Sequence, residues 1–143
     1  MSLFGLSVPS ILLITIAIGA FVVVYLPFLV VGYARVQMGY TPEMQAAPRA
    51  AFDKLPDYAK RATWAHENSW EAFTIFGIAA LMAYVTGQDS AIAGGAAITW
   101  TIVRLLYSVF YILNVAILRS LMFGIGSICS LTLIGLSILG SMK

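Results

Sequence analysis

From Val8 to Val31 the chain carries no charged residue. At about 1.5 Å per residue, a helix of that length crosses a hydrocarbon core of roughly 30 Å. Two further runs have the same character: Ala91 to Leu113, whose only charge is Arg104, and Leu121 to Met142, which has none. Lipid offers the backbone no hydrogen bonds, so such runs must close their bonds internally, and uninterrupted apolar stretches do this as helices. The composition agrees, with 61% hydrophobic and 10% charged residues and a mean hydropathy of +0.94. These values place the chain in a membrane and exclude soluble-domain functions.

A fourth apolar run, Ala72 to Val85, is too short to span alone. Its helix must recruit residues upstream, starting near Pro56 and Asp57, where a first-turn proline and a capping carboxylate fit. The expected spans are therefore 8–33, 57–86, 90–113 and 117–141, with a polar loop over 37–56 that holds Pro42, Pro48 and Pro56. The fold class is all-α: an integral membrane, up-down four-helix bundle forming one domain over 1–143. No Lys or Arg precedes Val8, so the first span reads as a retained anchor rather than a cleaved signal. The net charge of +2 is too small and scattered to point to nucleic acid.

Charge at the ends of the runs sets the expected topology. Arg35, Arg49, Lys54, Lys60 and Arg61 flank the first loop and Arg119 adjoins the third, whereas the turn from Gly87 to Ser90 has no Lys or Arg. The positive-inside rule puts loops one and three in the cytoplasm and the termini opposite. The lack of a transit peptide or retention signal points to a bacterial inner membrane. Cys129, alone in an apolar run, reads as a packing residue.

Polar residues inside such helices mark a site. The string RATWAHENSWEAF, from Arg61 to Phe73, places Arg61, Asn68, Glu71 and Ile75 at successive steps of seven, three and four, one stripe of a helix. In the string VRLLYSVFY, Arg104, Tyr107 and Tyr111 fall at i, i+3 and i+7, again one face. An unpaired arginine within a span costs about 2.5 to 3.5 kcal/mol, so a Glu71–Arg104 ion pair is the expected structural partner, compatible with a polar pocket lined by the same groups. His66, the only histidine, lies off the stripe and has no companions for a metal site, so none is assigned. In ILRSLMFG, Arg119 serves either as a snorkelling anchor or as a cation for a bound anion.

In order and spacing across the four runs, these residues resemble a known family: the membrane-associated proteins in eicosanoid and glutathione metabolism, MAPEG. Asn68 three residues before Glu71, then Arg104, Tyr107 and Tyr111, then the run Leu118 to Ser120 carry the likeness, which covers nearly the whole chain. The resemblance implies a homotrimer with glutathione bound between subunits near the cytoplasmic side. It also implies that Asn68 and Glu71 bind the glutathione backbone, that Arg104 takes a carboxylate, and that Tyr107 and Tyr111 close the pocket. Arg119 is similar to the arginine that stabilises the thiolate in the family's eicosanoid enzymes, with Tyr111 or Ser120 as auxiliary donor. Two positions depart from the pattern. Trp64 stands where better-known members carry an arginine four residues before the Asn, leaving Arg61 or Arg35 to contribute, and Ala72 follows Glu71 where a proline is usual.

The expected function is a transferase or peroxidase that turns glutathione on lipophilic electrophiles or lipid hydroperoxides entering from the bilayer. A non-catalytic member that binds glutathione weakly is the alternative, for which Trp64 argues. A proton-coupled transporter using Glu71 is a third reading, disfavoured because the charges cluster toward one side.

Overall fold

The computed structural model describes residues 2–39 and 41–142. It opens on a feature outside the all-α expectation. Strands β1 (Ser2–Leu3) and β2 (Leu6–Ser7) form a small antiparallel hairpin, Leu3 facing Leu6. Its two loop residues, Phe4 and Gly5, both have positive φ (54° and 79°), the backbone that a two-residue hairpin loop requires. The hairpin is too short for hydropathy to reveal.

The first apolar run is one 30-residue span, Val8–Gln37, but not one straight helix. Helix α1 (Val8–Ile18) is capped by the Ser7 hydroxyl, passes into a π-helical turn at Gly19–Val23, and resumes as α2 (Leu26–Gln37). Pro27, at the second position of α2, has no N–H to return to the preceding turn, which locates the break. A histidine attends to the opened backbone: the Val24 carbonyl accepts from His66 Nδ1 at 2.7 Å, which requires the Nδ1–H tautomer.

A short helix α3 (Pro42–Ala46), capped by Thr41, and a 3-10 turn at Phe52–Lys54 occupy the connection to α4 (Asp57–Val85). Pro56 takes the cap position, its carbonyl accepting from Ala59 and Lys60, so Asp57 opens the first turn and is not the capping side chain. Helices α5 (Ala91–Ile112) and α6 (Ala116–Ser141) follow. Val8–Gln37, α5 and α6 are long and apolar enough to cross a membrane; α4, at 29 residues, is long enough but carries its charges in its first half.

Two turns fix the order of these helices. After α4, Gly87 (φ 67°) closes a Schellman motif, with Gln88 N–H on the Ala83 carbonyl and Gly87 N–H on that of Tyr84. After α5, Asn114 (φ 62°) does the same: Val115 N–H reaches the Phe110 carbonyl at 2.8 Å and Asn114 N–H that of Tyr111 at 3.1 Å. The second turn makes α5 and α6 antiparallel neighbours in extensive contact.

The main core gathers Val8, Leu12 and Val23 with Phe76, Trp100 and Leu133, while Val31, Ala34, Leu55, Ala59 and Ala62 close the other end. Phe76 and Trp100 stack at 3.7 Å between centroids, nearly parallel at 7°. Gly19 permits this arrangement: a Cβ there would lie 2.8 Å from the Phe73 ring and 3.3 Å from Trp100.

Because an L-residue strongly prefers negative φ, Asn114→Val is expected to destabilise the α5–α6 turn by about 1 to 2 kcal/mol, while Asn114→Gly is neutral or stabilising. Thermal unfolding of the detergent-solubilised protein, compared across the two variants, checks this; equal midpoints would refute the assigned turn.

Candidate functional site

Arg104 is the buried charge around which the site is built. Its side chain is 1% exposed although it sits in the middle of an apolar helix. Nη2 donates to the Asn68 side-chain oxygen at 3.0 Å, to the Asn68 backbone carbonyl at 3.3 Å and to the Ser69 hydroxyl at 3.4 Å. The guanidinium carbon lies 4.0 Å from the centre of the Tyr107 ring. Nε is buried with no hydrogen-bond partner.

The expected Glu71–Arg104 ion pair does not form. The Asn68 amide stands between the two charges, accepting from Arg104 through Oδ1 and donating through Nδ2 to Glu71 Oε2 at 3.3 Å. Both contacts match the chemistry of their partners, since a guanidinium only donates and a carboxylate only accepts. The reason is placement. Glu71 lies on the exposed side of the α4 stripe and Arg104 is buried behind it, so the residue one turn back on α4 bridges them. Glu71 keeps one side open for another cation.

From Arg104 a ladder of side chains runs down α5 to the start of α6. Tyr107 meets Tyr111 edge to face at 5.6 Å, and the Arg119 guanidinium lies 4.7 Å from the Tyr111 ring centre. The i, i+4 spacing of the tyrosines and the tight Asn114 turn put Arg119 beside Tyr111. Two cations thus flank two electron-rich rings.

Asn68, Glu71 and Arg104 form the polar end of a cavity of about 340 Å³ between α4, α5 and α6, the rest of which is mainly apolar, with Trp100 and Leu131 among its walls. Asn68, Glu71, Arg104, Tyr107, Tyr111 and Arg119 are thus linked in one chain of contacts, of which Asn68, Glu71 and Arg104 line the cavity and Tyr107, Tyr111 and Arg119 do not. It does not bring Arg35 or Arg61 to the cavity within one protomer. Arg61 Nε donates to the Ile112 carbonyl at 2.9 Å and so satisfies the C-terminal end of α5. Arg35 donates to the Pro48 carbonyl at 3.3 Å and lies over Phe28, tying α2 to the loop. Trp64 packs against Phe52 of that loop. His66 serves the α1–α2 break instead of the cavity.

Sequence reasoning passed over Ser69, Trp100 and Gly126. Trp100 was accessible in principle, standing one turn before Arg104 on the same face. Ser69 and Gly126 give no signal, because small residues in a membrane helix are common and their contacts depend on the neighbouring helix.

No curated protein and no solved structure matches the chain. The family model described as MAPEG family matches residues 12–139, nearly the whole length, and three helices among the described residues are long and apolar enough to cross a membrane, so this protein belongs to the MAPEG family of membrane proteins.

Proposed function

We propose that the chain is a glutathione-dependent transferase or peroxidase, acting on lipophilic electrophiles or lipid hydroperoxides, in which an arginine stabilises the glutathione thiolate. The observation that carries this reading is the buried Arg104, held by Asn68 with Nε unpartnered, at the polar end of an apolar cavity. The adjoining Glu71 is half of a site for a ligand bearing both signs of charge. A zwitterionic peptide such as glutathione fits that pair, its ammonium to Glu71 and a carboxylate to Arg104, each a charge-assisted contact.

Glutathione, when bound, supplies the sulfur nucleophile, so no protein nucleophile is needed. Arg119 is the residue assigned to hold negative charge at that sulfur, with Tyr111 beside it as auxiliary donor. Lowering a thiol from about 8.5 to about 6.5 takes roughly 2.7 kcal/mol of preference for the charged form. A single guanidinium in a partly dry site is of that order. Asn68 acts through Arg104, fixing its plane, and Tyr107 supports that guanidinium from the ring face.

The architecture belongs to the same proposal. Helix α4 is the fourth crossing, its polar half at the boundary, giving a four-helix bundle that assembles as a homotrimer in a bacterial inner membrane with loops one and three cytoplasmic. Within one protomer Arg35 and Arg61 are turned to Pro48 and Ile112, so in this proposal they reach glutathione only from a neighbouring copy.

Thiolate absorbance of glutathione on the detergent-purified protein at neutral pH tests the reading. It is expected in the wild type and lost in both Arg119→Leu and Glu71→Gln, the first by loss of activation and the second by loss of binding; no signal in an intact wild-type trimer would point instead to a non-catalytic member.

Asn68 and Glu71 separate in a second experiment. Asn68→Leu strips a buried cation of its main acceptor and is expected to cost about 2 to 4 kcal/mol of stability as well as weakening glutathione. Glu71→Gln keeps an acceptor for the Asn68 amide and is expected to leave the unfolding midpoint nearly unchanged while weakening glutathione about a hundredfold, enough to empty the site in the thiolate assay. Calorimetric binding and thermal unfolding of both variants check the split.

A further inference from the structure

The first span is broken where its backbone is hardest to satisfy. Val24 N–H reaches back to the Gly19 carbonyl at 3.2 Å, the wide bond of a π-turn, and Pro27 supplies no N–H at all. The ladder of α2 starts with Leu29 N–H on the Tyr25 carbonyl at 3.2 Å. The Val24 carbonyl stands one residue before that ladder, in a residue that is 0% exposed, so neither water nor a headgroup can serve it. A spanning helix cannot leave such an acceptor unmet, and α4 meets it through His66 Nδ1 at 2.7 Å. In an unbroken α-helix the same carbonyl would take the N–H of Phe28, four residues on. The break thus has two ways to satisfy one oxygen, and only the first draws on α4.

A row of rings leads away from this bond. His66 lies 5.6 Å from the Tyr25 ring, Tyr25 6.0 Å from Trp70, Trp70 6.2 Å from Phe73 and Phe73 6.5 Å from Trp100, centre to centre. The last of these is a wall of the cavity between α4, α5 and α6. The start of the π-turn rests on the same row, since a Cβ on Gly19 would lie 2.8 Å from the Phe73 ring and 3.3 Å from Trp100. Gly19 and Val24, the two ends of the wide bond, are therefore both held by it. In a close-packed interior the row and the turn cannot shift separately.

We infer that His66 is the latch of a two-position joint in the first span, and that the row of rings couples this latch to the cavity. The latched state is the one described. In the other, the Val24 carbonyl turns to Phe28, His66 is released, and α2, with Arg35 in its last turn, loses that tie to α4. Filling the cavity denies Trp100 the space to move into and so favours the latched state. Cavity and joint then bias one two-state element, and each shifts the other by the same factor. The inference rests on the proposed function only for the identity of the ligand whose arrival it registers.

His66 is the only histidine in the chain, so isotope-labelled histidine reports a single ring in nitrogen NMR. In lipid nanodiscs without glutathione, at alkaline pH where an imidazole is neutral, the wild type is expected in the Nδ1–H tautomer that the Val24 bond imposes. Gly126→Ala places a methyl 3.7 Å from Trp100 Cδ1, ordinary contact from the cavity side, and should raise the ratio of Nδ1–H to Nε2–H about twofold. Gly19→Ala crowds Phe73 and should lower that ratio about tenfold, and Phe73→Leu in the same chain should restore it by making room. A wild-type ring mainly in the Nε2–H form overturns the latch; a ratio unmoved by either alanine overturns the coupling. Thermal unfolding gives a second reading. His66→Asn, whose Nδ2 stands where Nδ1 stood, should keep the wild-type midpoint, and His66→Gln, whose nitrogen stands nearer the Nε2 position, should lose several degrees. Equal midpoints overturn the latch even where a glycine variant fails to fold. Because glutathione is absent throughout, loss of the thiolate signal with the tautomer pattern intact defeats the proposed function alone, and the reverse pattern defeats this inference alone.

Discussion

One guanidinium buried among apolar helices imposes most of the arrangement around the site. Arg104 cannot be left without acceptors in a span, and they come from one short stretch of α4, the Asn68 amide and backbone and the Ser69 hydroxyl. That requirement fixes the register of α4 against α5. The Tyr107 ring below the guanidinium fixes its plane, and the ladder through Tyr111 carries the constraint to Arg119 on α6. Using a neutral amide as the direct partner has a further effect: the carboxylate of Glu71 is oriented but not consumed. A buried ion pair would have neutralised both charges.

What the residues disclosed follows from which forces act along a single helix. Apolar length located the three helices long and apolar enough to cross a membrane, and steps of three, four and seven put Asn68 with Glu71 and Arg104 with the tyrosines before any neighbour was known. Contacts that depend on how two helices meet were hidden. The ion pair expected for Arg104 was replaced by an amide bridge because depth, not spacing, decided its partner. Arg61 shares the stripe of Asn68 yet caps α5 through the Ile112 carbonyl, a role visible only once the end of α5 is beside it. The hairpin at Ser2–Ser7 escaped because a few residues of alternation do not register against an apolar background.

The two Schellman turns show how little sequence suffices to set topology. Gly87 is the usual residue for the left-handed position, and Asn114 is the usual substitute. The second turn also delivers Arg119 into the first turn or so of α6, where it meets Tyr111. A looser connection would leave that cation to find its place by side-chain freedom alone, at a cost in conformational entropy.

The π-helical turn in the first span changes the phase of the helix on either side of it. An extra residue in a turn rotates everything beyond it by about 100°, so α1 and α2 present different faces to the same bundle: α1 to α4 and α5, α2 chiefly to α4. The span thus behaves as two half-length segments joined at a swivel, the Val24 carbonyl being steadied from outside by His66. Sequence drift in one half need not be compensated in the other. A single-residue insertion or deletion between Gly19 and Tyr25 could be absorbed by shifting or erasing the wide turn, where the same event in α5 or α6 would throw every inward side chain out of phase.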